Sequence, residues 1–247
     1  MSTSPVLEIA ANSLVSALAA QAGGADRIEL CENLAEGGTT PSYGTIALVR
    51  ERLRIAVYVL IRPRGGDFVY DDAEREVMRR DVAMCRQLGC DGVVLGALDV
   101  HGAIDEDTCR TLIGEAGAMG VTFHRAFDAA RDPGAALERL IDLRCERVLT
   151  SGGQTTALAG ADAIAAFARQ GAGRIRVMAG ASVNAAELPQ LRERSGADEF
   201  HASARRLRRS PVTHRAGLLP GLEPDWMATD EAEVRALRAA LDENASA

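Results

Sequence analysis

Eight short apolar runs recur along the chain, and helical patterns separate them. The runs are VLEIAA from Val6, RIELC from Arg27, IAVYVLIR from Ile55, GVVLGAL from Gly92, VTFHRAF from Val121, RVLTS from Arg147, IRVMAG from Ile175 and EFHAS from Glu199. Such runs are typical of strands buried on both faces of a parallel sheet. Dividing the repeating region by eight gives about 25 residues a unit, enough for one strand and one helix. The pattern predicts an α/β fold, a single TIM-type (β/α)8 barrel.

Helix-start signals support the same alternation. Ser13, Asp71 and Asp132 precede stretches with 3.6-residue apolar spacing, and Asn184 does so with Glu187 three residues later. Side chains at such positions accept hydrogen bonds from the free N–H groups of a first helical turn. An open doubly wound sheet is less favoured, because no G-x-G-x-x-G motif follows the first run.

The repeating pattern stops after Ser203 and gives way to a stretch that contains proline and glycine. We assign residues 1–247 to one domain, with the barrel over about 6–204 and a C-terminal extension over about 205–247. The extension closes with a predicted helix from about Asp230 to Leu241. Its opening arginines are interpreted as a solvated or subunit-contact segment rather than an anion site, namely Arg205, Arg206, Arg208 and Arg209.

Composition excludes several classes of function. The formal charge is −7 and the arginines are spread along the chain, which argues against nucleic acid as a partner. The apolar runs fall short of the ~18 residues of a membrane span, so we expect a cytoplasmic protein without membrane contact. The five cysteines are odd in number and lack paired spacings, as in a reducing compartment. All 28 basic residues are arginine, so Schiff-base chemistry on a lysine is excluded.

Ionisable side chains end two of the predicted strands, in IRPRGGDF from Ile61 and TFHRAFD from Thr122. Such groups are costly beside a buried strand unless they meet partners, water or a ligand. The carboxyl ends of barrel strands form the active-site face, and alternation turns the polar residues of several strands toward the lumen. The candidate catalytic residues are Glu8, Glu29, His124, Asp128 and His201. The candidate substrate-binding residues are Arg62, Arg64, Asp67, Arg125, Ser151, Gly152, Gly180 and Ser203.

These residue types indicate a site for a small anionic metabolite. Carboxylates beside histidines suit general acid–base catalysis, arginine binds carboxylate or phosphate, and glycine-rich turns offer backbone N–H groups to an anion. Structural ion pairs at the barrel mouth are the alternative reading of the glutamates. Two glutamates and two histidines would also suit a divalent metal ion such as zinc or manganese. A Cu(I) ion would require sulfur, for which Cys31 is the one strand-end cysteine and Met178 the nearest supplement.

The ordered motifs closely resemble the CutC family, the copper homeostasis protein CutC family. The resemblance rests on LEIAANS, GADRIELCENLAEGGTTPSYG from Gly24, IRPRGGDFVYDD, LGALDVHG from Leu95, VTFHRAFD, RVLTSGG and RVMAGASV from Arg176. It implies a TIM-type barrel, a cytoplasmic location, a homo-oligomer with a dimer favoured, and copper homeostasis with copper ion binding. Some relatives carry LEICC where this chain has Ala10 and Ala11, so direct Cu(I) ligation is not expected from those two positions.

Three functions are therefore hypotheses. The resemblance implies a cytoplasmic protein of copper homeostasis. The residues themselves favour a lysine-independent barrel enzyme, of lyase or isomerase type, that acts on a small anionic metabolite. A scaffold that only binds other proteins is the third, and it would leave the predicted bowl empty.

Overall fold

The computed structural model describes residues 5–214 and 222–243. Eight parallel strands pair in chain order, and the first pairs with the eighth, which closes the barrel. The strands are β1 (Val6–Ala11), β2 (Arg27–Leu30), β3 (Ala56–Leu60), β4 (Gly92–Leu95), β5 (Gly120–Phe123), β6 (Arg147–Thr150), β7 (Arg176–Gly180) and β8 (Glu199–Ala202). All eight predicted strands form, so the (β/α)8 prediction is confirmed.

Helices follow the strands and form the outer layer. The first seven are α1 (Leu14–Ala22), α2 (Tyr43–Arg52), α3 (Asp72–Gln87), α4 (Glu106–Ala116), α5 (Pro133–Asp142), α6 (Ala161–Gly171) and α7 (Leu188–Ser195). Short 3-10 helices at Leu34–Glu36 and Arg125–Ala129 precede α2 and α5. The largest fully buried side chains include Phe123, Phe127 and Phe200. The apolar core therefore lies mainly between the strands and the helix ring.

Most predicted helix starts are confirmed by capping bonds. Ser13 accepts from the Ser16 N–H at 3.2 Å, Asp132 accepts from the first turn of α5, and Asp71 forms a reciprocal capping box at α3. Asn184 accepts from the Glu187 N–H at 3.0 Å, but α7 itself begins only at Leu188. That pair therefore closes a turn before the helix.

The segment after β8 contains a hairpin and the eighth outer helix. Strands β9 (Arg205–Arg208) and β10 (Trp226–Thr229) pair antiparallel, and α8 (Glu231–Glu243) follows them. Helix α8 contacts α1, α7 and β1, so it completes the helix ring across the seam where β1 meets β8. Its start and end lie within two residues of the predicted helix.

The arginines at the start of the hairpin pair with acidic groups of the same chain. Arg208 contacts Asp230 at 3.2 Å and Arg209 contacts Asp225 at 2.7 Å, while Arg206 pairs with Glu233. The exposed fractions of the Arg206 and Arg209 side chains are 61% and 79%, as expected for a solvated segment. In the ranges that the structure covers, no helix has the length and apolar character needed to cross a membrane.

Candidate small-molecule site

A charged layer fills the lumen at the amino-terminal half of the strands. Arg27 pairs with Glu8 and contacts Glu199 at 2.7 Å, and Arg147 contacts the same Glu199 oxygen at 2.8 Å. The Tyr58 ring lies 5.1 Å from one guanidinium carbon and 5.0 Å from the other. Two buried cations and two buried carboxylates balance here, so this layer is structural.

Arg27, Arg147 and Glu199 were missed as lumen residues in the sequence. Each is the first residue of its strand, where the sequence was read only as a strand boundary. The alternation that places Glu29 and His201 in the lumen applies equally two residues earlier, to Arg27 and Glu199. Strand alternation, applied from the first residue of each strand, therefore predicts Arg27 and Glu199 as lumen residues.

A hydrogen bond and an ion-pair contact connect this layer, through His201, to Glu29 nearer the carboxyl ends of the strands. His201 Nδ1 lies 2.7 Å from Glu8 Oε1, and His201 Nε2 lies 3.5 Å from Glu29 Oε2. The sequence prediction that these three residues meet in the lumen agrees with this geometry. The two carboxylates therefore hold the imidazole ring from opposite sides.

Burial and charge separate the pKa values of the three groups. Burial raises the pKa of Glu29 to about 7, although the His201 charge opposes this. Burial acts to raise the pKa of Glu8 as well, but the Arg27 charge and the His201 hydrogen bond hold it well below its usual range. Burial acts to lower the pKa of His201, and the Glu8 bond and the charge of Glu29 raise it overall. Glu29 therefore changes its charge near neutral pH, in contact with the His201 ring.

A cavity of about 400 Å³ opens above Glu29 and His201. Leucines from three elements form an apolar wall, namely Leu34, Leu60 and Leu149. Polar and aromatic residues of the loops complete the lining, among them Arg62, Phe68, His124, Arg125 and Asp128. The combination of an apolar wall with a few convergent polar groups is typical of a small-molecule site.

Arg62 is held rigidly by backbone carbonyls rather than by a carboxylate. Its guanidinium group donates to the carbonyls of Glu36 at 3.0 Å, Gly38 at 2.9 Å and Gly66 at 2.8 Å. The residue is only 5% exposed, and no acidic side chain of the described ranges pairs with it. Its Nε atom is buried without a hydrogen-bond partner. Arg62 therefore brings an uncompensated positive charge to the cavity lining.

His124 follows β5 and supplies a second unused donor. Its Nδ1 accepts from the Ala126 N–H at 3.1 Å, which assigns the remaining ring proton to Nε2. Burial, together with the charge of Arg62, lowers the pKa of His124 to about 3, so the ring is neutral. The Nε2 atom is buried and lacks a partner. The Phe68 ring lies 5.0 Å from both the His124 ring and the Arg62 guanidinium carbon.

Asp128 fixes the loop after β6 by accepting hydrogen bonds from it. The chain leaves β5 at Phe123 and turns into a 3-10 helix, so strand alternation does not extend to Asp128. Asp128 accepts from Thr150 Oγ1 at 2.5 Å, from the Ser151 N–H at 3.0 Å and from the Gly153 N–H at 3.2 Å. The Gly152 N–H donates to Thr150 Oγ1 at 2.9 Å. These N–H groups, predicted to bind an external anion, donate instead to side chains of the protein.

Arg125 contacts both Asp128 and Ser151. Its Nε lies 2.8 Å from Asp128 Oδ2, and its Nη2 donates to Ser151 Oγ at 3.1 Å. The side chain of Arg125 is 46% exposed. Arg125 is therefore a paired cation on the cavity lining, in contrast to Arg62.

Seven of the predicted catalytic and substrate-binding residues do not line the cavity, namely Glu8, Arg64, Asp67, Ser151, Gly152, Gly180 and Ser203. Arg64 pairs with Glu74 at 2.6 Å and with Asp67 at 3.1 Å, outside the barrel mouth. Gly180 ends β7, where an added Cβ would lie 2.5 Å from Leu149 Cδ1 and 3.1 Å from His201 Cβ. The carbonyl of Ser203 accepts from Thr229 Oγ1 at 3.4 Å. Gly180 thus makes room for His201, whereas Ser203 helps to anchor the hairpin.

The sulfur atoms near the strand ends do not fit a Cu(I) site. Cys31 is fully buried, and burial raises the pKa of its thiol well above the usual range, which disfavours the thiolate that metals require. Met178 Sδ already contacts Arg27 Nη2 at 3.4 Å. Over residues 5–214 and 222–243, no three His, Cys, Asp or Glu side chains are grouped so that they could hold a metal ion. Both nitrogens of His201 face carboxylates instead.

The fold and the site define a (β/α)8 barrel protein with a small-molecule cavity at the carboxyl ends of its strands. Residues 5–206 match the family model described as the CutC family. This chain belongs to the CutC family.

Relatives support the assignment over nearly the whole length. The chain is 57% identical to a family protein CutC of Xanthomonas axonopodis pv. citri, over 96% of this chain and 99% of that protein. A solved CutC structure from Streptococcus agalactiae, named for copper homeostasis, superimposes with a TM-score of 0.78 at 32% identity, covering 81% of this chain and 98% of the other. Thiamine phosphate pyrophosphorylase from Pyrococcus furiosus, with a TM-score of 0.62 and 14% identity over 96% of each chain, shares the fold alone.

Proposed function

We propose that this chain is a barrel enzyme that binds a small organic anion and exchanges a proton with it, as lyases and isomerases do. One observation carries the proposal: a buried carboxyl group with a pKa of about 7, Glu29, shares its cavity with the unpaired Arg62 charge. A general acid or base works best when its pKa lies near the working pH. The fixed cation beside it would hold the anion.

The residues divide the chemistry between them. Glu29 would accept a proton from the ligand in its ionised form and return it in its protonated form. His201, held by Glu8 at 2.7 Å, supplies a positive charge that stabilises the Glu29 carboxylate. The Nε2–H of His124 is a neutral donor that would bind the anionic group of the ligand together with Arg62. A covalent imine is not part of this chemistry, because the sequence contains no lysine.

A thermal-shift screen of small metabolites, followed by NMR of each hit in D2O, tests this proposal. We expect carboxylate- or phosphate-bearing hits that raise Tm and exchange one carbon-bound proton for deuterium. A ligand at 100 times its Kd should add about 2.7 kcal/mol of stability. Glu29→Gln should retain binding and lose exchange, whereas the matched surface variant Glu51→Gln should retain both. Exchange that persists in Glu29→Gln would contradict the assigned role.

Copper homeostasis is the second candidate, and family membership favours it. The Streptococcus agalactiae relative that bears this name is 32% identical over 81% of the chain. We propose that this chain shares that role, exercised through the cavity rather than through direct Cu(I) ligation. A strain lacking the gene should regain growth on copper with the wild-type chain but not with Glu29→Gln. Equal rescue of growth by the wild-type chain and by Glu29→Gln would show that the copper role does not depend on the cavity.

Direct ligation has its own test. Cu(I) titration against a competing chelator should show no tight stoichiometric binding, because the nearby thiol of Cys31 is buried and protonated. Cys31→Ala and the control Cys109→Ala should then behave like the wild type. Stoichiometric binding that is lost only in Cys31→Ala would establish a copper site and overturn this expectation.

We also propose a cytoplasmic location and a homo-oligomer, with a dimer favoured. The odd number of unpaired cysteines supports a reducing compartment. Cell fractionation tests the location, and light scattering coupled to gel filtration tests the oligomer. A monomeric mass across the accessible concentration range would contradict self-association.

A further inference from the structure

Two side chains on the cavity lining, each with a buried donor that lacks a partner, indicate the kind of group that the ligand presents. Arg62 Nε and His124 Nε2 are both buried, both lack a hydrogen-bond partner, and their side chains line the same cavity. Phe68 contacts both side chains, with 5.0 Å separations to each. Buried donors without acceptors destabilise a protein, so a ligand that accepts from both recovers free energy.

The charge of the cavity limits the charge of that ligand. Arg62 is the buried cation without an acidic partner on the lining, because Arg125 pairs with Asp128 at 2.8 Å and His124 is neutral. Glu29 and Asp128 place carboxyl groups on the same lining. One uncompensated positive charge matches a monoanion. A phosphate monoester carries about −1.5 to −2 at pH 7 and would leave negative charge uncompensated.

The backbone N–H groups after β6, which could bind a phosphate in a barrel, donate to side chains of this protein instead. Barrel phosphate sites use N–H groups of the loops after the last strands and the N-terminus of a short helix. The N–H groups of Ser151, Gly152 and Gly153 donate to Asp128 and Thr150. After β8 the chain continues into strand β9 instead of a helix. The loop after β7 contributes no residue to the cavity lining.

We propose that the ligand is a monocarboxylate with an apolar or aromatic body. Its carboxylate lies beside the Arg62 and His124 side chains, and its body lies against Leu34, Leu60 and Leu149. This inference rests on the proposed function of the cavity as a ligand site and adds the ligand class. The cavity volume of about 400 Å³ accommodates an anion of that size.

Matched probes that differ only in the anionic group test the proposal. Benzoate, phenyl phosphate and benzyl alcohol share a ring, and isobutyrate replaces the ring with a branched aliphatic body. Their Kd values are measured by ligand-observed NMR on the full chain at pH 7.5. We expect benzoate or isobutyrate to bind at least tenfold more tightly than phenyl phosphate and benzyl alcohol. Equal or tighter binding of phenyl phosphate, or no binding of either carboxylate, would overturn the inference.

Variants assign the binding to the two donors. His124→Phe keeps an aromatic ring against Phe68 but removes the N–H, and it should weaken carboxylate binding about tenfold. Arg62→Gln should weaken it further, and His124→Phe remains informative if the loops that Arg62 holds become disordered. The control Arg80→Gln should bind like the wild type, because Arg80 is an exposed residue of α3 that pairs with Glu76 at 2.7 Å and does not line the cavity. Unchanged binding in His124→Phe would overturn the assignment.

Failure of this inference is distinguishable from failure of the proposed enzyme. Glu29-dependent deuterium exchange with phosphate-bearing hits would preserve the enzyme and reject the carboxylate class. Carboxylate binding that requires His124, without exchange into any hit, would preserve the ligand class and reject the proton transfer.

Discussion

At the scale of single residues, the molecule separates two uses of buried charge. Glu8, Glu199, Arg27 and Arg147 neutralise one another and leave no group free for a ligand. Glu29 stands apart, because its nearest charged contact is His201 at 3.5 Å rather than a guanidinium group. A carboxyl group placed in this way keeps a pKa near neutrality, whereas its neighbour Glu8 stays ionised.

The pKa of Glu29 predicts how stability depends on pH. Its value in the folded chain is about 7, above the usual 4.5, so the folded state retains a proton that the unfolded chain releases. The free energy of unfolding should therefore fall as pH rises from about 4.5 to about 7. In Glu29→Gln, the decrease in the free energy of unfolding over this pH range should be smaller by about 1–3 kcal/mol. Urea unfolding at pH 5 and pH 8 measures it, and Glu51→Gln, whose side chain is 68% exposed, is the control.

A second prediction concerns the structural layer. Glu199→Gln leaves the Arg27 and Arg147 charges without their shared partner and should lower the free energy of unfolding by about 3–5 kcal/mol. Glu146→Gln removes another carboxylate from Arg147, but that side chain is 41% exposed, so the loss should stay below about 1 kcal/mol. Denaturant unfolding compares the two variants. Equal losses would show that burial does not set the cost.

The sequence predicts lumen residues as far as the strands extend. Glu8, Glu29 and His201 lie within strands, where alternation holds and the prediction of a shared lumen is met. Asp128 and Arg62 lie beyond strand ends, where turns replace alternation. The unused donor of His124 depends on the Ala126 N–H, a local bond that no periodicity reveals. Strand identity is encoded locally, but the partners of a loop side chain are set by the folded loop.

At the scale of elements, the loop after β6 was predicted to bind an external anion, but its N–H groups donate to an acidic side chain of the same protein. Gly152 has a φ of +68°, and an added Cβ would lie 2.4 Å from the Gly160 carbonyl oxygen, so glycine is required at this turn. The loop has the form of an anion cradle. The carboxylate of Asp128 accepts from the N–H groups that such a cradle would offer to an external anion.

Removing that carboxylate should expose the cradle. Asp128→Ala should lower the free energy of unfolding by about 1–3 kcal/mol, since buried N–H donors lose their acceptor. Increasing inorganic phosphate should then raise the Tm of this variant more than that of the wild type. Asp67→Ala, which removes the acceptor of the Val69 N–H and the ion pair with Arg64 at the surface, is the control. An equal phosphate response in both variants would show that the loop is no anion cradle.

At the scale of the whole molecule, the helix that covers the seam between β1 and β8 lies beyond the region matched by the family model. That model ends at residue 206, whereas α8 spans Glu231–Glu243. Val234, Leu237 and Leu241 are the buried residues of α8. Arg238 adds a bond to the Pro5 carbonyl and an ion pair with Asp26, both at 3.1–3.2 Å. The hairpin and α8 should therefore unfold together with the barrel.

The single tryptophan allows that cooperativity to be measured. Trp226 lies in β10, so its fluorescence reports on the hairpin while circular dichroism reports on the barrel. The two transitions should coincide in the wild type. Leu237→Ala should lower the free energy of unfolding by about 2–5 kcal/mol and shift both midpoints together. Leu48→Ala, at an exposed position, should shift neither midpoint. A separate, earlier tryptophan transition would show that the hairpin folds independently.

The position of α8 also sets an order of events during synthesis. Strand β1 leaves the ribosome first, yet the groove between α1 and α7 beside it stays open until residues past 230 have been translated. The apolar surface that Val234 and Leu237 later cover is thus exposed throughout elongation. A nascent chain of this protein should therefore be a client of chaperones until translation is nearly complete.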